Sequence, residues 1–351
     1  QITAIFGTCG GGMALIPALT DFTFMEEKKG RLFVNSPNAL DGNIASKCDT
    51  AAAKFQSEET GLVDGVGTEA DILAQIRALV GMLPANNEDE AYTECTDNLN
   101  RVCPDLANCA GDTGILLSQI SDNGVVFETK KNYAKDMVTA FIRLNGATVG
   151  AVANRSEIYG TDGTLEETFD GTLSAKGAKK AAAFVKFCDA FGIPVLTITN
   201  VKGFKATKCS EKFMAQNVAE LTYAFADATV PKVNVVVGQA YGSAYLAMNS
   251  KSIGADMVFA WPNAEIGMMD AKEAVKIMYA SEIAKADNAT AMISEKAAEY
   301  AQLQSSALAA AKRGYVDDII EARDTRKRVI AAFEMLFTKR EERPAKKHGT
   351  V

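Results

Sequence analysis

The sequence predicts an α/β protein of two related lobes, each centred on a glycine-rich turn that joins a buried strand to a helix. Three observations carry that expectation. Apolar, largely β-branched runs at residues 2–6, 148–153, 195–199 and 233–237 alternate with stretches of helical period, the pattern of βαβ crossovers. Residues 2–13 match residues 233–244 position by position, with Gly7 on Gly238 and Gly11 on Gly242, which a duplicated unit explains economically. At 351 residues and 48% hydrophobic content, the chain is long enough to bury two cores.

In chain order, the run at 2–6 leads through Gly7-Thr8-Cys9-Gly10-Gly11-Gly12 into a helix-like stretch from Met13 towards Leu19. Short strands follow at 22–25 and 32–34. An amphipathic helix is expected over 69–82, with Ile72, Leu73, Ile76, Leu79 and Val80 on its apolar side and Pro84 beyond its end. Residues 84–105 are polar and acid-rich and read as a surface linker, so the boundary falls there: an N-terminal lobe over 1–105 and a C-terminal lobe over 106–351. In the second lobe a strand at 148–153 precedes a helix at 174–191 closed by Gly192, then a strand at 195–199 and a helix at about 211–226. Ala178, Ala182, Val185 and Cys188 or Asp189 follow a 3.6-residue period along the first helix, and Lys176, Lys179, Lys180 and Lys186 read as a largely solvated face. The repeat continues downstream, where Asp21-Phe22-Thr23-Phe24 finds its counterpart in Asp256-Met257-Val258-Phe259, with a four-residue longer helix expected in the second copy.

Composition narrows the function. A net charge of -7 and a pI near 5.1 argue against nucleic acid as the main partner. No run of 18 apolar residues suggests a membrane span. Seven cysteines without a CxxC pair form no disulfide framework, so a cytoplasmic location is expected. Cys95, Cys103 and Cys109 lack metal-site spacing and a neighbouring His, and no metal is assigned. The single histidine, His348, lies in the basic tail, which leaves a Ser-His-Asp mechanism without a candidate. Trp261 reads as packing. The tail from Lys339, of mixed charge, reads as a solvated or intersubunit arm.

The glycine turns offer a different chemistry. The first N–H groups of a helix have no intrahelical acceptor, and the aligned peptide dipoles place positive potential there. Glycine admits φ > 0 and lets a ligand approach the backbone. A tight strand-to-helix connection would account for either turn alone, but its duplication favours an anion-holding role. Neither turn has the Walker Gly-Lys-Ser/Thr ending or GxGxxG spacing, which favours a carbonyl oxygen over a nucleotide phosphate.

With Gly-Thr-Cys-Gly-Gly-Gly at 7–12, Pro-Ala-Leu-Thr-Asp-Phe at 17–22, Asn-Tyr-Ala-Lys at 132–135, Asn145-Gly146, Phe-Cys-Asp-Ala-Phe at 187–191, Ala-Tyr-Gly-Ser-Ala-Tyr at 240–245, Trp-Pro-Asn-Ala-Glu-Ile at 261–266 and Arg-Gly-Tyr-Val-Asp-Asp at 313–318, the chain resembles the carboxyltransferase subunits of biotin-dependent acyl-CoA carboxylases and decarboxylases. The resemblance spans nearly the whole chain and implies a crotonase-like (ClpP/crotonase) fold of duplicated ββα units. It implies that carboxybiotin releases CO2, that the ureido group takes the α-proton of an acyl thioester, and that the enolate captures CO2, with no protein base. On this resemblance Gly11 and Gly12 hold the thioester enolate oxygen, and Gly242, Ser243 and Ala244 hold the biotin ureido oxygen. Leu246 falls in the acyl pocket, where it suits an uncharged acyl group of the propionyl or acetyl type, and Gly203 and Phe204 contact substrate. Implied partners are a biotin carboxyl carrier protein, biotin carboxylase or decarboxylase subunits, and further copies of the chain in a dimer or hexamer, the active sites lying between the first lobe of one copy and the second lobe of another.

Departures from the family accompany this likeness. Asn-Val-Lys-Gly-Phe at 200–204 stands where the family has Asp-x-Pro-Gly-Phe, and residues 205–217 replace its glycine-rich, Arg-containing loop. Asp270 and Glu273 add negative charge near the expected biotin end, and the chain reads as truncated ahead of its first turn. Rival readings are a decarboxylase running the reverse transfer on a methylmalonyl- or glutaconyl-type CoA, a crotonase-type enzyme using Glu265 as an acid, and a CoA-binding scaffold subunit.

Overall fold

The structure is a computed structural model and describes residues 1–343. In the first lobe β1 (Ile2–Ile5), β3 (Phe22–Glu26) and β5 (Gly65–Gly67) form a parallel sheet in the order β1-β3-β5, and β2 (Thr8–Gly10) pairs with β4 (Arg31–Phe33). Helix Glu69–Met82 closes the lobe, its start fixed by a Thr68–Asp71 capping box. Ile72 and Leu79 are buried as its period requires, whereas Leu73 and Val80 form an exposed second stripe.

The second lobe holds β6 (Val126–Thr129), β7 (Met137–Leu144), β8 (Ala147–Asn154), β11 (Val195–Val201), β12 (Lys232–Tyr241), β13 (Met257–Ala260) and β15 (Asp318–Ile319) in one sheet ordered β15-β13-β12-β11-β8-β7-β6. A hairpin of β9 (Glu157–Tyr159) and β10 (Leu165–Thr168) stands beside it, and β14 (Glu265–Gly267) pairs with the end of β12. β6, β7 and β8 run antiparallel. The β7–β8 turn is Asn145-Gly146 with φ of 50 and 79, the two positive φ values of a type I′ hairpin. The remaining pairings are parallel, with helices Ala175–Ala190 and Lys208–Asp227 as crossovers.

Those helices cover one sheet face, where the core also takes in Phe22, Phe24, Ile72 and Leu79 of the first lobe. The ring of Phe22 lies 4.8 Å from that of Phe187 and 6.2 Å from that of Phe141, so the two lobes share a core. Helices Thr113–Ile120 and Thr325–Leu336 cover the other face. The 84–105 segment is irregular and docks on the β7–β8 turn, where Thr93 N–H donates to the Gly146 carbonyl at 2.9 Å.

The duplication extends to the pairing register. Ile2 pairs with Phe22 and Val233 with Met257; Phe24 pairs with Gly65 and Phe259 with Asp318; Cys9 pairs with Leu32 and Ala240 with Ile266. The longer helix expected in the second copy is absent. Helix Gly242–Ala247 is short, and the extra residues form a separate 3₁₀ turn, Lys251–Ile253, closed by Gly254 at φ 102. The second copy also carries helices Ala271–Met278 and Ala289–Tyr300 between β14 and the bridge from Glu265 to Ser306.

One lysine expected in solvent is not there. Lys180 is 3% exposed, and its ammonium donates to the carbonyls of Lys130, Tyr133 and Met137 at 3.0, 2.9 and 2.7 Å. These acceptors satisfy all three N–H bonds of the ammonium, which is what makes burial tolerable. They also brace the segment in which Lys130 and Ala134 adopt φ of 48 and 42. Trp261 is buried packing, its indole N–H donating to Thr325 Oγ1 at 3.0 Å. Lys339 is tied to Asp256 at 2.9 Å, and His348 lies outside the described residues.

Candidate active site

Both turns sit at the C-terminal ends of parallel strands, where α/β sheets present their ligand sites. Their corners fall at matching residues, Gly11 at φ 63 and Gly242 at φ 59, the left-handed conformation that only glycine adopts without strain. After Gly11 the chain enters a 3₁₀ turn, Gly11–Ala14, and then helix Leu15–Leu19; after Tyr241 it enters helix Gly242–Ala247 directly. Thus Gly11, Gly12, Gly242, Ser243 and Ala244 all lie at helix starts, where N–H groups lack intrahelical acceptors.

Space in front of these groups differs in detail. A Cβ on Gly11 or Gly12 would meet no heavy atom within 4 Å, whereas one on Gly242 would lie 3.0 Å from the Met268 carbonyl oxygen. Gly12 and Ser243 are exposed and Ala244 is buried. The absence of a side chain at Gly12 is therefore not required by packing within this chain. Cys9, behind the first turn, donates its thiol to the Met13 carbonyl at 3.4 Å, and burial raises its pKa.

At the second turn Tyr241 is buried and its hydroxyl donates to the Glu265 carboxylate. Burial first, and then the adjoining carboxylate, push the phenol well above its ordinary pKa, so it remains a protonated donor. Glu265 is thereby engaged, rather than presenting a free acid. The hydroxyl of Tyr245 is buried and pushed up to about 12 by desolvation. Leu246, 41% exposed, lies on the same helix. Gly203, at φ 149, and exposed Phe204 follow β11. The departing loop is largely helix: Thr207 caps Lys208–Asp227 by accepting from Ser210 N–H at 3.2 Å. Asp270 is likewise a cap, accepting from the N–H groups of Lys272 and Glu273 at 2.9 and 3.3 Å, and Glu273 pairs with Lys276 at 2.7 Å.

The two turns occupy different sheets. The cleft beside the first turn is lined by Thr3 to Cys9, Met13, Ile16 and Pro17, without a residue of the second lobe. A larger cleft of about 680 Å3, lined by Phe191, Ile193, Pro231, Phe333 and Phe337, lies at the opposite ends of the strands and contains none of the expected site residues.

Sequence reasoning missed a further repeated pair. Asp64 accepts from Thr23 N–H at 2.8 Å and Asp317 from Val258 N–H at 2.7 Å, on equivalent strands. The signal was legible in Gly61-Leu62-Val63-Asp64-Gly65 against Gly314-Tyr315-Val316-Asp317-Asp318. Both motifs open on a left-handed glycine, with φ of 68 and 80. Each aspartate anchors the middle strand of its turn unit and is paired with a lysine, Lys130 at 3.3 Å or Lys251 at 2.8 Å. Asn200, at the family's Asp position, joins three segments: its Oδ1 accepts from Gln239 N–H at 3.0 Å, its Nδ2 donates to the Ala110 carbonyl at 3.2 Å, and its N–H donates to Asn154 Oδ1 at 3.2 Å.

A duplicated α/β unit with a left-handed glycine at a helix start in each copy defines the class of α/β protein, and comparison with known proteins gives the family. The carboxyl transferase domain matches residues 1–351, and the chain belongs to the family of biotin-dependent acyl-CoA carboxyltransferases, the carboxylase and decarboxylase subunits. It is 37% identical over 364 residues to methylmalonyl-CoA decarboxylase subunit alpha of Propionigenium modestum, covering all of this chain and 68% of that protein. It is 38% identical over 360 residues to a putative propionyl-CoA carboxylase beta chain of Bacillus subtilis, covering all of this chain and 69% of that protein. The crystal structure of the transcarboxylase 12S hexamer with methylmalonyl-CoA bound superimposes with a TM-score of 0.91 at 36% identity, covering the whole chain and 68% of that structure's chain. Among the described residues no helix is long and apolar enough to cross a membrane.

Proposed function

We propose that this chain transfers a carboxyl group between biotin on a carrier protein and a short-chain acyl-CoA, with Gly11 and Gly12 holding the thioester enolate oxygen and Gly242, Ser243 and Ala244 holding the ureido oxygen. The observation that carries the reading is the paired left-handed glycine, each opening a helix at the end of a parallel strand in the same register. Biotin supplies the carboxyl group and the base. The chain supplies backbone donors that stabilise developing negative charge, worth about 3 kcal/mol for a well-placed donor.

The fit of these groups rests on what the turns leave open. Exposed Gly12 carries no Cβ in front of its N–H, and exposed Ser243 opens the second helix. Neither site needs a His base, consistent with a chain whose one histidine is in its tail. Leu246 on the second helix suits an uncharged acyl group, with Gly203 and Phe204 contributing to the substrate end. Carboxylation and decarboxylation use the same two turns, so the direction is set by the partner subunits.

A second copy completes the site in this reading. The first turn is followed by exposed Met13, Leu15, Ile16 and Leu19, and beside the second lie exposed Leu246 and Met268. Two such apolar patches, each beside a glycine turn, suit burial against each other between copies. The first lobe of one copy would then face the second lobe of another, bringing the two turns together in a dimer or a larger ring.

The deciding assay supplies the chain with free biotin and methylmalonyl-CoA and follows loss of the carboxylate. Turnover that requires biotin is expected. Turnover indifferent to biotin would point to Glu265 chemistry, and CoA binding without turnover to a scaffold. Gly12→Pro and Ser243→Pro each remove one N–H and are expected to suppress transfer; full activity in both would refute the oxyanion roles.

A further inference from the structure

The helix that opens at Gly242 is only six residues long, so its direction is set by what holds its far end. That end meets four fully buried polar side chains, Thr197, Thr199, Asn234 and Asn249, each 0% exposed. Asn234 Nδ2 donates to the carbonyls of Met248 and Asn249 at 3.1 and 2.9 Å, groups at the helix end that need donor partners. Its Oδ1 accepts from Thr199 Oγ1 at 2.8 Å. Asn249, in the left-handed region at φ 53, returns across the sheet with Nδ2 donating to Thr197 Oγ1 at 3.2 Å. Burying such groups is costly unless they are paired, and the bonds made here favour one geometry, with Asn249 Oδ1 left without a hydrogen-bond partner.

The first lobe repeats the device with smaller groups. Thr3 occupies in β1 the position that Asn234 occupies in β12. Its Oγ1 lies 3.0 Å from Thr20 Oγ1, which donates to the Pro17 carbonyl at 3.1 Å; Thr23 Oγ1 donates to the same carbonyl at 3.1 Å. Pro17 belongs to the helix that follows the Gly11 turn. In both copies the second residue of the matched strand segment therefore bears the polar side chain that reaches towards the helix carrying the oxyanion turn.

We propose that Asn234 with Thr199, and Thr3 with Thr20, are positioning residues that aim the N–H groups of the second and first turns respectively. The proposal rests on the assignment of the turns to the ureido and enolate oxygens. Asn234 and Thr3 touch neither reacting group; each acts through the helix it anchors.

Two measurements test it on the full chain. In steady-state assays with free biotin and methylmalonyl-CoA, Thr199→Val, which preserves shape, and Asn234→Ala are expected to lower kcat/KM for biotin about 10- to 100-fold, as a displaced donor does, with KM for methylmalonyl-CoA unchanged. Thr3→Val is expected to act on methylmalonyl-CoA instead, and Asn234→Thr, which installs the group used in the other copy, to recover part of the loss. Equal effects on both substrates, or no recovery with Thr, would overturn the proposal. Hydrogen exchange of residues 242–248 is read in the same variants. Faster exchange in Thr199→Val supports the anchor even if the unmodified chain shows no biotin-dependent turnover, a result that would refute the function and not the anchor; unchanged exchange overturns the anchor.

Discussion

Gly12→Ala separates packing from function at the first turn. Gly12 lies outside the left-handed region, and a Cβ built there meets no heavy atom within 4 Å. The backbone therefore accepts alanine without strain, and alanine in a helical turn is favoured over glycine by up to about 1 kcal/mol. Stability is expected to hold or rise slightly. In the role proposed for Gly12, the new methyl group stands where the thioester oxygen approaches the N–H. Displacing that oxygen by about 1 Å costs about 100-fold in rate, or about 3 kcal/mol. Urea denaturation and biotin-dependent decarboxylation of methylmalonyl-CoA measure the two effects separately. Unchanged kcat/KM in Gly12→Ala and also in Gly12→Val would show that no substrate atom approaches this backbone. A loss of stability above about 2 kcal/mol would show instead that packing does require the glycine.

Other consequences concern buried charge and the interface. Burial pushes the Lys180 ammonium down to about 7, below the unfolded value near 10.4, so the unfolded chain binds more protons between these pH values. The stability difference between the protein and Lys180→Met should accordingly be greatest above about pH 10.4 and shrink as pH falls towards 7, by urea denaturation across that range. Arg326, 0% exposed, donates to Asp122 at 2.6 Å and to the Ile120 carbonyl at 2.6 Å; Arg326→Met leaves the buried carboxylate without its charge partner, held by the N–H groups of Asn145 and Gly146, and should destabilise by about 3 kcal/mol in the same assay. Asp97 is held at about 2, chiefly by its hydrogen bond to Arg101, and Arg101→Gln should raise its titration midpoint in carboxyl NMR. Leu19, 81% exposed beside the first turn, is expected to sit between copies, so Leu19→Asp should shift the sedimentation profile towards monomer without a loss of stability.

The glycine corners, the helix over 69–82 and the parallel crossovers were legible because each leaves a local signature: a residue required by φ, a 3.6-residue stripe, a capped end. β7 was not, because all eight of its residues are buried and a strand covered on both faces shows no period-2 alternation. Lys180 was misread because its sequence neighbours, Lys176 and Lys179, lie on the same helix, while the carbonyls that receive it come from residues 130–137. Length alone could not distinguish a longer helix from the additional turn at Lys251–Ile253. The matched aspartates Asp64 and Asp317 were visible as a repeated Gly-x-Val-Asp motif, but their role emerges only when each is seen to grip the middle strand of its unit. Likewise, nothing in the spacing of Thr3 and Asn234 shows that each reaches towards a helix end.

The most direct test is a crystal structure of the chain with propionyl-CoA and free biotin bound together. The account predicts the thioester oxygen about 2.9 Å from N–H groups at Gly11 or Gly12, and the ureido oxygen at a similar distance from those of Ser243 or Ala244. A thioester seated on the second turn, or either oxygen held by side chains away from both turns, would contradict it.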